Sequence, residues 1–270
     1  MLGPKKKISL MDITPDAYPS VLEFIKDTHF SSDPLCRAMQ ILESDKTQAE
    51  YISQIIYFLN GSASLMAVDS SGKIVGVLVG KIEDLDECSE KIVESSTFTS
   101  KRFKTIQNFI NFLTKNGNVH EKYKCKVFYK VHVLAVRDDW LWKGLEKALI
   151  TGALRLSSIM GLPRLAGVFT TYKNQCYMSE FKAVTDFEIY YSEWRTDRGL
   201  RIFRGTGKTE PRAALMSAPV PESFRPSMDD KELTESPPLT SDRGRRILKT
   251  RVPIWNELGI NIACVRGNVC

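Results

Sequence analysis

The sequence predicts an α/β (α+β) fold: a mixed, mostly antiparallel central sheet flanked by helices on both faces. Three observations predict it. Two apolar, β-branched runs, 64–68 and 74–82, are separated by Ser70-Ser71-Gly72-Lys73, which is a hairpin signal. Strand-like runs alternate along the chain with stretches whose apolar residues recur at helical spacing, so helices must pack on the sheet. Finally, the stretch 131–149, VHVLAVRDDWLWKGLEKAL, reads as a strand, a loop with one glycine and the opening of an amphipathic helix. In that arrangement loop amides and a helix N-terminus can hold a phosphorylated ligand.

The elements follow in order. Residues 8–13 read as a first strand, and Thr14-Pro15-Asp16 starts a helix with Val21, Phe24 and Ile25 on its apolar side. Pro34 fits the first turn of a further short helix, and 47–59 is a third. After the hairpin, 83–98 is acidic and loop-like. The segment 101–113 carries Phe103, Ile106, Phe109, Ile110 and Leu113 on one stripe. The strand 127–136 alternates, predicting Phe128, Lys130, His132, Leu134 and Val136 on one face and Val127, Tyr129, Val131, Val133 and Ala135 on the other. The helix that follows runs to about Met160, where Gly161-Leu162-Pro163 stops it. A buried-looking strand at 165–170, a helix near 173–181, strands at 187–194 and 200–204 and a last strand at 213–218 complete the domain.

Composition bounds the rest. At 270 residues and 43% hydrophobic content, the chain can build one sizeable core. Seven of the 12 prolines lie beyond Gly205, among Ser, Thr and charge. The division expected is a domain over 1–218 and a largely disordered tail over 219–270. A net charge of +6 suits an anionic small ligand. The basic runs Lys5-Lys6-Lys7 and Arg243-Gly244-Arg245-Arg246 are short, which argues against a nucleic-acid stripe. Six cysteines without a CxxC and only three histidines argue against a metal site. No run approaches the roughly 20 apolar residues of a membrane span, and the N-terminus shows no apolar signal segment, so a reduced, cytoplasmic protein is expected.

On these residues the chain resembles the GCN5-related N-acetyltransferase superfamily, and within it the arylalkylamine N-acetyltransferases. Leu134-Ala135-Val136 matches the strand end, Asp139-Trp140 the acidic-aromatic pair before the loop, Gly144 the first glycine of the Arg/Gln-x-x-Gly-x-Gly/Ala motif, and Lys147-Ala148-Leu149 the helix start. The resemblance runs from about Ile8 to Ala218. It implies acetyl-CoA as the acyl donor, cradled by Leu134, Ala135, Val136, Trp142, Lys143, Gly144, Leu145 and Lys147, and a small-molecule primary amine as acceptor.

The chain departs from the motif at two positions: Leu141 stands where Arg or Gln is expected, and Glu146 where Gly or Ala is. A carboxylate about 5 Å from a phosphate would cost about 3 kcal/mol at an effective dielectric near 20, unless Arg137, Lys143 or Lys147 offsets it or Glu146 points away. The later Leu-Gly-Phe signature is reduced to Phe181-Lys182-Ala183. A catalytically inactive relative that binds CoA or a protein partner is therefore the alternative. A chromatin-type module using the basic ends is a third reading.

Acetyl transfer to an amine requires a deprotonated amine, a polarised thioester carbonyl and a proton for the departing thiolate. The resemblance offers His132 as base, from the vertebrate enzymes, and Asp33, from the Glu-Pro-Leu segment of the insect enzymes, matched here by Asp33-Pro34-Leu35. Tyr177 is the candidate acid, with Tyr172 nearby, although Met178 holds the usual tyrosine position. Each has a plain structural reading: a packed histidine with a partner, a helix N-cap for Asp33, a tyrosine with its hydroxyl at the surface. Cys176 reads as a small apolar residue, and Trp140 and Trp142 as braces of the loop. Phe30, Leu35 and Met39 beside Asp33 suggest an apolar acceptor pocket.

Overall fold

A computed structural model of the chain describes residues 8–61, 63–88, 98–140, 144–206 and 209–224. It contains a seven-stranded sheet in the order β1-β2-β3-β4-β5-β7-β6. The strands are β1 (Ile8–Asp12), β2 (Leu65–Asp69), β3 (Ile74–Asp84), β4 (Val127–Val136), β5 (Arg164–Phe169), β6 (Val184–Tyr190) and β7 (Arg212–Pro219). Every neighbouring pair is antiparallel except β4–β5, which is parallel. The mixed, mostly antiparallel sheet read from the sequence is thus the one observed.

The β2–β3 hairpin closes where Asp69 Oδ1 accepts hydrogen bonds from the backbone N–H of Ser71 and Lys73, with Gly72 at φ +80. Only a residue without a Cβ takes that left-handed turn cheaply. Helices α1 (Tyr18–Ser32), α2 (Pro34–Ala38), α3 (Asp45–Asn60) and α5 (Lys101–Gly117) build a core with Val77, Val79, Val133 and Ala135 on one face of the sheet. Helices α7 (Leu145–Ile159) and α8 (Tyr172–Glu180) cover the opposite face, packing on Leu65, Leu78, Val131 and Leu165. Two short helices, α4 (Leu85–Cys88) and α6 (Val119–Tyr123), lie at the ends of neighbouring strands.

Three expectations are corrected. The even alternation along β4 breaks at His132: Val79 pairs with Val133 but Gly80 with Val131, so His132 is an extra, bulged residue. Tyr129 and Val131 therefore enter one core while Val133 and Ala135 enter the other, although all four are odd-numbered. The run expected as a strand at 200–204 forms only an isolated Arg195–Arg201 bridge. Its Phe203 packs edge-on against Phe109, beside Trp194 and Tyr191, so the aromatic residues are buried as a knot on α5 instead of along a ladder. The loop-like 83–98 begins as ordered structure, since Glu83 and Asp84 end β3 and α4 follows. The tail expected beyond 219 lies outside the described residues from 225 onward.

Candidate active site

The site is made by strands that part. Parallel pairing of β4 with β5 covers Tyr129–Leu165, Lys130–Ala166 and Val131–Gly167, and then stops. At the last of these pairs the backbones touch: a Cβ on Gly167 would lie 3.0 Å from the Val131 carbonyl oxygen. Beyond it the bulge at His132 turns β4 away, and the two strand ends diverge around a cavity of about 280 Å³. Leu134, Ala135 and Val136 line it from β4 and Val168, Phe169 and Thr170 from the β5 side. Past the last pair with β5, that edge of β4 offers backbone groups to an extended ligand.

Helix α7 begins at the same end. Gly144 is its N-cap at φ +80, with no side-chain cap, and a Cβ built there would meet nothing within 4 Å. The first-turn N–H groups therefore have no intrahelical acceptor and no side-chain cap, an arrangement that favours an anion. Leu145 contributes only backbone, because its side chain is fully buried in the core under β3. Lys147, one of the expected donor-binding residues, is ion-paired with Glu180 of α8. Arg137 pairs with Asp139 at 2.6 Å. Trp140 is buried in the core that α7 covers. Leu141, Trp142 and Lys143 lie outside the described residues.

Glu146 enters the cavity wall. Its side chain is 3% exposed and ion-paired with Lys173 at the start of α8. The pair spans the space between the two helices, so the carboxylate that the motif leaves no room for is neutralised from within.

Asp33 forms the other wall. It is buried, and its Oδ1 accepts hydrogen bonds from the N–H groups of Leu35 (2.9 Å) and Cys36 (3.0 Å), capping α2. Its Oδ2 accepts from the Thr170 hydroxyl at 2.5 Å, which ties it to the end of β5. The plain reading, a helix N-cap, therefore holds for Asp33, and its second oxygen is held at the cavity wall. His29, one helical turn earlier, meets the Tyr51 hydroxyl at 3.1 Å. Burial holds its pKa below the ordinary value, with Asp33 partly opposing. The Cys36 thiol is pushed well up by burial and by Asp33, so it is an inert, protonated core residue.

His132 lines the same cavity as Asp33. Its ring stacks on Phe58 at 3.6 Å, and its Nε2 lies 3.5 Å from Glu83, too long for a good hydrogen bond. Burial pushes its pKa down to about 4, against a smaller raising effect of Glu83. Tyr177 does not line the cavity; it packs against the α7 core, and burial plus the charges of Glu146 and Glu180 push its hydroxyl up to about 12. Of the apolar residues expected beside Asp33, Leu35 lines the cavity, while Phe30 is spent in the core.

Sequence reasoning did not single out Thr170, Lys173, His29 or Glu210, all of which line the cavity. Glu210 accepts the Tyr172 N–H at 2.5 Å, and burial raises its pKa. Nothing in the local pattern marks them, because each acquires its place from a partner remote in the chain.

With this geometry in hand, known proteins can be compared. No family model matches the chain, and no curated protein matches it in sequence. Solved structures do match. Arylalkylamine N-acetyltransferase 2 from Aedes aegypti superposes with a TM-score of 0.73 at 21% identity, over 80% of this chain and 100% of that one. A putative arylalkylamine N-acetyltransferase 7 from the same mosquito gives 0.71 at 19% identity, over 79% and 88%. The Drosophila melanogaster polyamine N-acetyltransferase, an enzyme that forms N-acetylagmatine, gives 0.69 at 13% identity, over 79% and 100%. The chain has the fold of the GCN5-related N-acetyltransferases, in the form seen in arylalkylamine and polyamine N-acetyltransferases.

Proposed function

We propose that this protein is an acetyl-CoA-dependent N-acetyltransferase that acts on a primary amine, a small arylalkylamine. The observation that carries the reading is the gap between β4 and β5, with the open start of α7 at one end and Asp33 inside. An acyl donor needs an anion cradle, a slot for its arm and a reacting end near a base; the slot and Asp33 lie on one cavity, and Glu146 of the first turn of α7 lines it too. The match in fold to amine acetyltransferases supports the same reading.

The residues fit a CoA thioester. The uncapped amides after Gly144 suit its diphosphate, and the free edge of β4 at residues 134–136 suits the amides of its arm. A backbone N–H at that edge polarises the thioester carbonyl. Asp33 takes the proton of the acceptor ammonium, directly or through one water, with Thr170 holding its second oxygen in place. We assign His132 a positioning role beside the bulge and not the base, because a ring held near pKa 4 is a weak acceptor at neutral pH. Leu35 and the aliphatic wall of β4 suit an apolar amine substituent.

One observation favours the second reading, a relative that binds CoA or a protein without turnover: Glu146 puts a carboxylate in the donor slot. Calorimetric titration with acetyl-CoA tests the cradle, and release of free thiol with a panel of amines tests catalysis. Binding with turnover is expected. Binding without turnover on any amine would move the protein to the second reading, and no binding would remove both.

A further inference from the structure

Glu146 carries more than a first-turn acid needs for the helix dipole. It is the second residue of α7, is 3% exposed and lines the cavity. One oxygen, Oε1, is committed to Lys173. The other, Oε2, is buried without a hydrogen-bond partner among the described residues. A buried, charged acceptor with no donor is strongly disfavoured unless something supplies one. An oxygen of this kind in a ligand cavity marks where an N–H or O–H of the ligand arrives.

The charges around it say which part of a ligand that is. Lys173 faces it from α8 and cancels its charge. Lys147, the next residue of α7, is turned to Glu180 instead. Tyr177 is close enough for the Glu146 charge to raise its pKa. The anion cradle is the row of backbone amides after Gly144, where a Cβ would point into open space, and Glu146's own amide belongs to it. Backbone and side chain of Glu146 therefore meet different parts of the donor: the amides take the phosphates, and the carboxylate, buried in the cavity wall beside Lys173, meets a neutral, N–H-bearing segment further in.

We infer that Glu146 accepts a hydrogen bond from an amide N–H of the donor's pantetheine arm, and that Lys173 is the positioning residue that keeps this carboxylate aimed. The inference rests on the donor reading above and adds which part of the donor this chain reads through a side chain. It turns the departure from the Gly/Ala motif position into a contact.

The test uses the full chain and two probes, CoA and adenosine 3′-phosphate 5′-diphosphate, which is the nucleotide half of CoA without the arm. Both are titrated into the wild type and into Glu146→Met/Lys173→Met, which removes both charges together and leaves no lone buried lysine. The expected result is an affinity for CoA lowered about tenfold, with nucleotide affinity held within about twofold. Glu146→Gln/Lys173→Met, which keeps an acceptor oxygen, should recover most of the CoA affinity. Melting curves check that each variant is folded. If the Met pair is not, Glu146→Asp carries the comparison, since it keeps the charge but withdraws the oxygen by one methylene. Tighter or weaker binding of both probes alike by a folded variant would place Glu146 against the phosphates and overturn the inference. Unchanged CoA affinity would reduce the pair to a tie between helices and overturn it too. If the wild type binds neither probe, the donor reading itself fails and takes the inference with it.

Discussion

At the scale of single residues, Asp33 performs two jobs that can be separated. Its Oδ1 caps α2 and its Oδ2 meets Thr170. Asparagine caps a helix about as well as aspartate, but it cannot take a proton at neutral pH. Asp33→Asn should therefore keep the melting temperature within a few degrees while kcat falls about 100-fold or more. Asp33→Ala should lose the activity and about 1 kcal/mol of cap stability as well. An Asn variant with wild-type turnover would remove Asp33 as the base. Tyr177→Phe makes the complementary prediction. Because Tyr177 lies outside the cavity, kcat should stay within about twofold, as for a substitution that loses no transition-state contact. The cap was legible from Asp33-Pro34 alone, since capping is a local rule. The Thr170 contact was not, because it joins residues 137 apart in sequence. Lys173 was invisible for the same reason: its meaning comes from Glu146 on another helix.

At the scale of elements, β4 shows where periodicity informs and where it misleads. Its bounds could be read directly, because ten β-rich residues sit between turn signals. Its bulge could not, because VHVLAV alternates identically whether or not one residue is extra. The choice is made across the sheet, where Gly80 lets Tyr129 through: a Cβ at Gly80 would fall 2.1 Å from the Tyr129 hydroxyl oxygen. That hydroxyl in turn donates to the Ala63 carbonyl. Gly80→Ala cannot be absorbed by a flexible side-chain tip, since the ring carbon Cζ is also 2.2 Å away. The substitution should destabilise the protein by about 1–3 kcal/mol or more, read as a lower urea midpoint with the slope unchanged. Because the same pairing sets the bulge, it should also weaken acetyl-CoA binding. A Gly80→Ala variant of normal stability would show that Tyr129 has room the structure does not show. The aromatic knot on α5 was missed for a related reason: Tyr191, Trp194 and Phe203 carry strand propensity, but burial against Phe109 decides their conformation.

At the scale of the whole molecule, these placements fix how stability answers to pH. His132 is largely buried, and its pKa falls from 6.5 to about 4 on folding. His29, buried beside Tyr51, is shifted in the same direction. Between these values the unfolded chain binds protons that the native state refuses, so stability falls as pH drops from about 6.5 toward 4 and is fully present above 6.5. The His132 contribution alone is on the order of 2–3 kcal/mol across that window. Urea midpoints at pH 7.5 and pH 5 should therefore differ, and His132→Gln should remove a large part of the difference. An undiminished pH slope in His132→Gln would mean that the ring is solvated and free to titrate. The same shift bears on chemistry. A catalytic histidine titrating near 6.5 would give the rate an acid limb there, whereas a ring held near 4 cannot. If kcat collapses in Asp33→Asn but largely survives in His132→Gln, the base is the carboxylate. Proton transfer then falls to the carboxylate that also caps α2, Asp33.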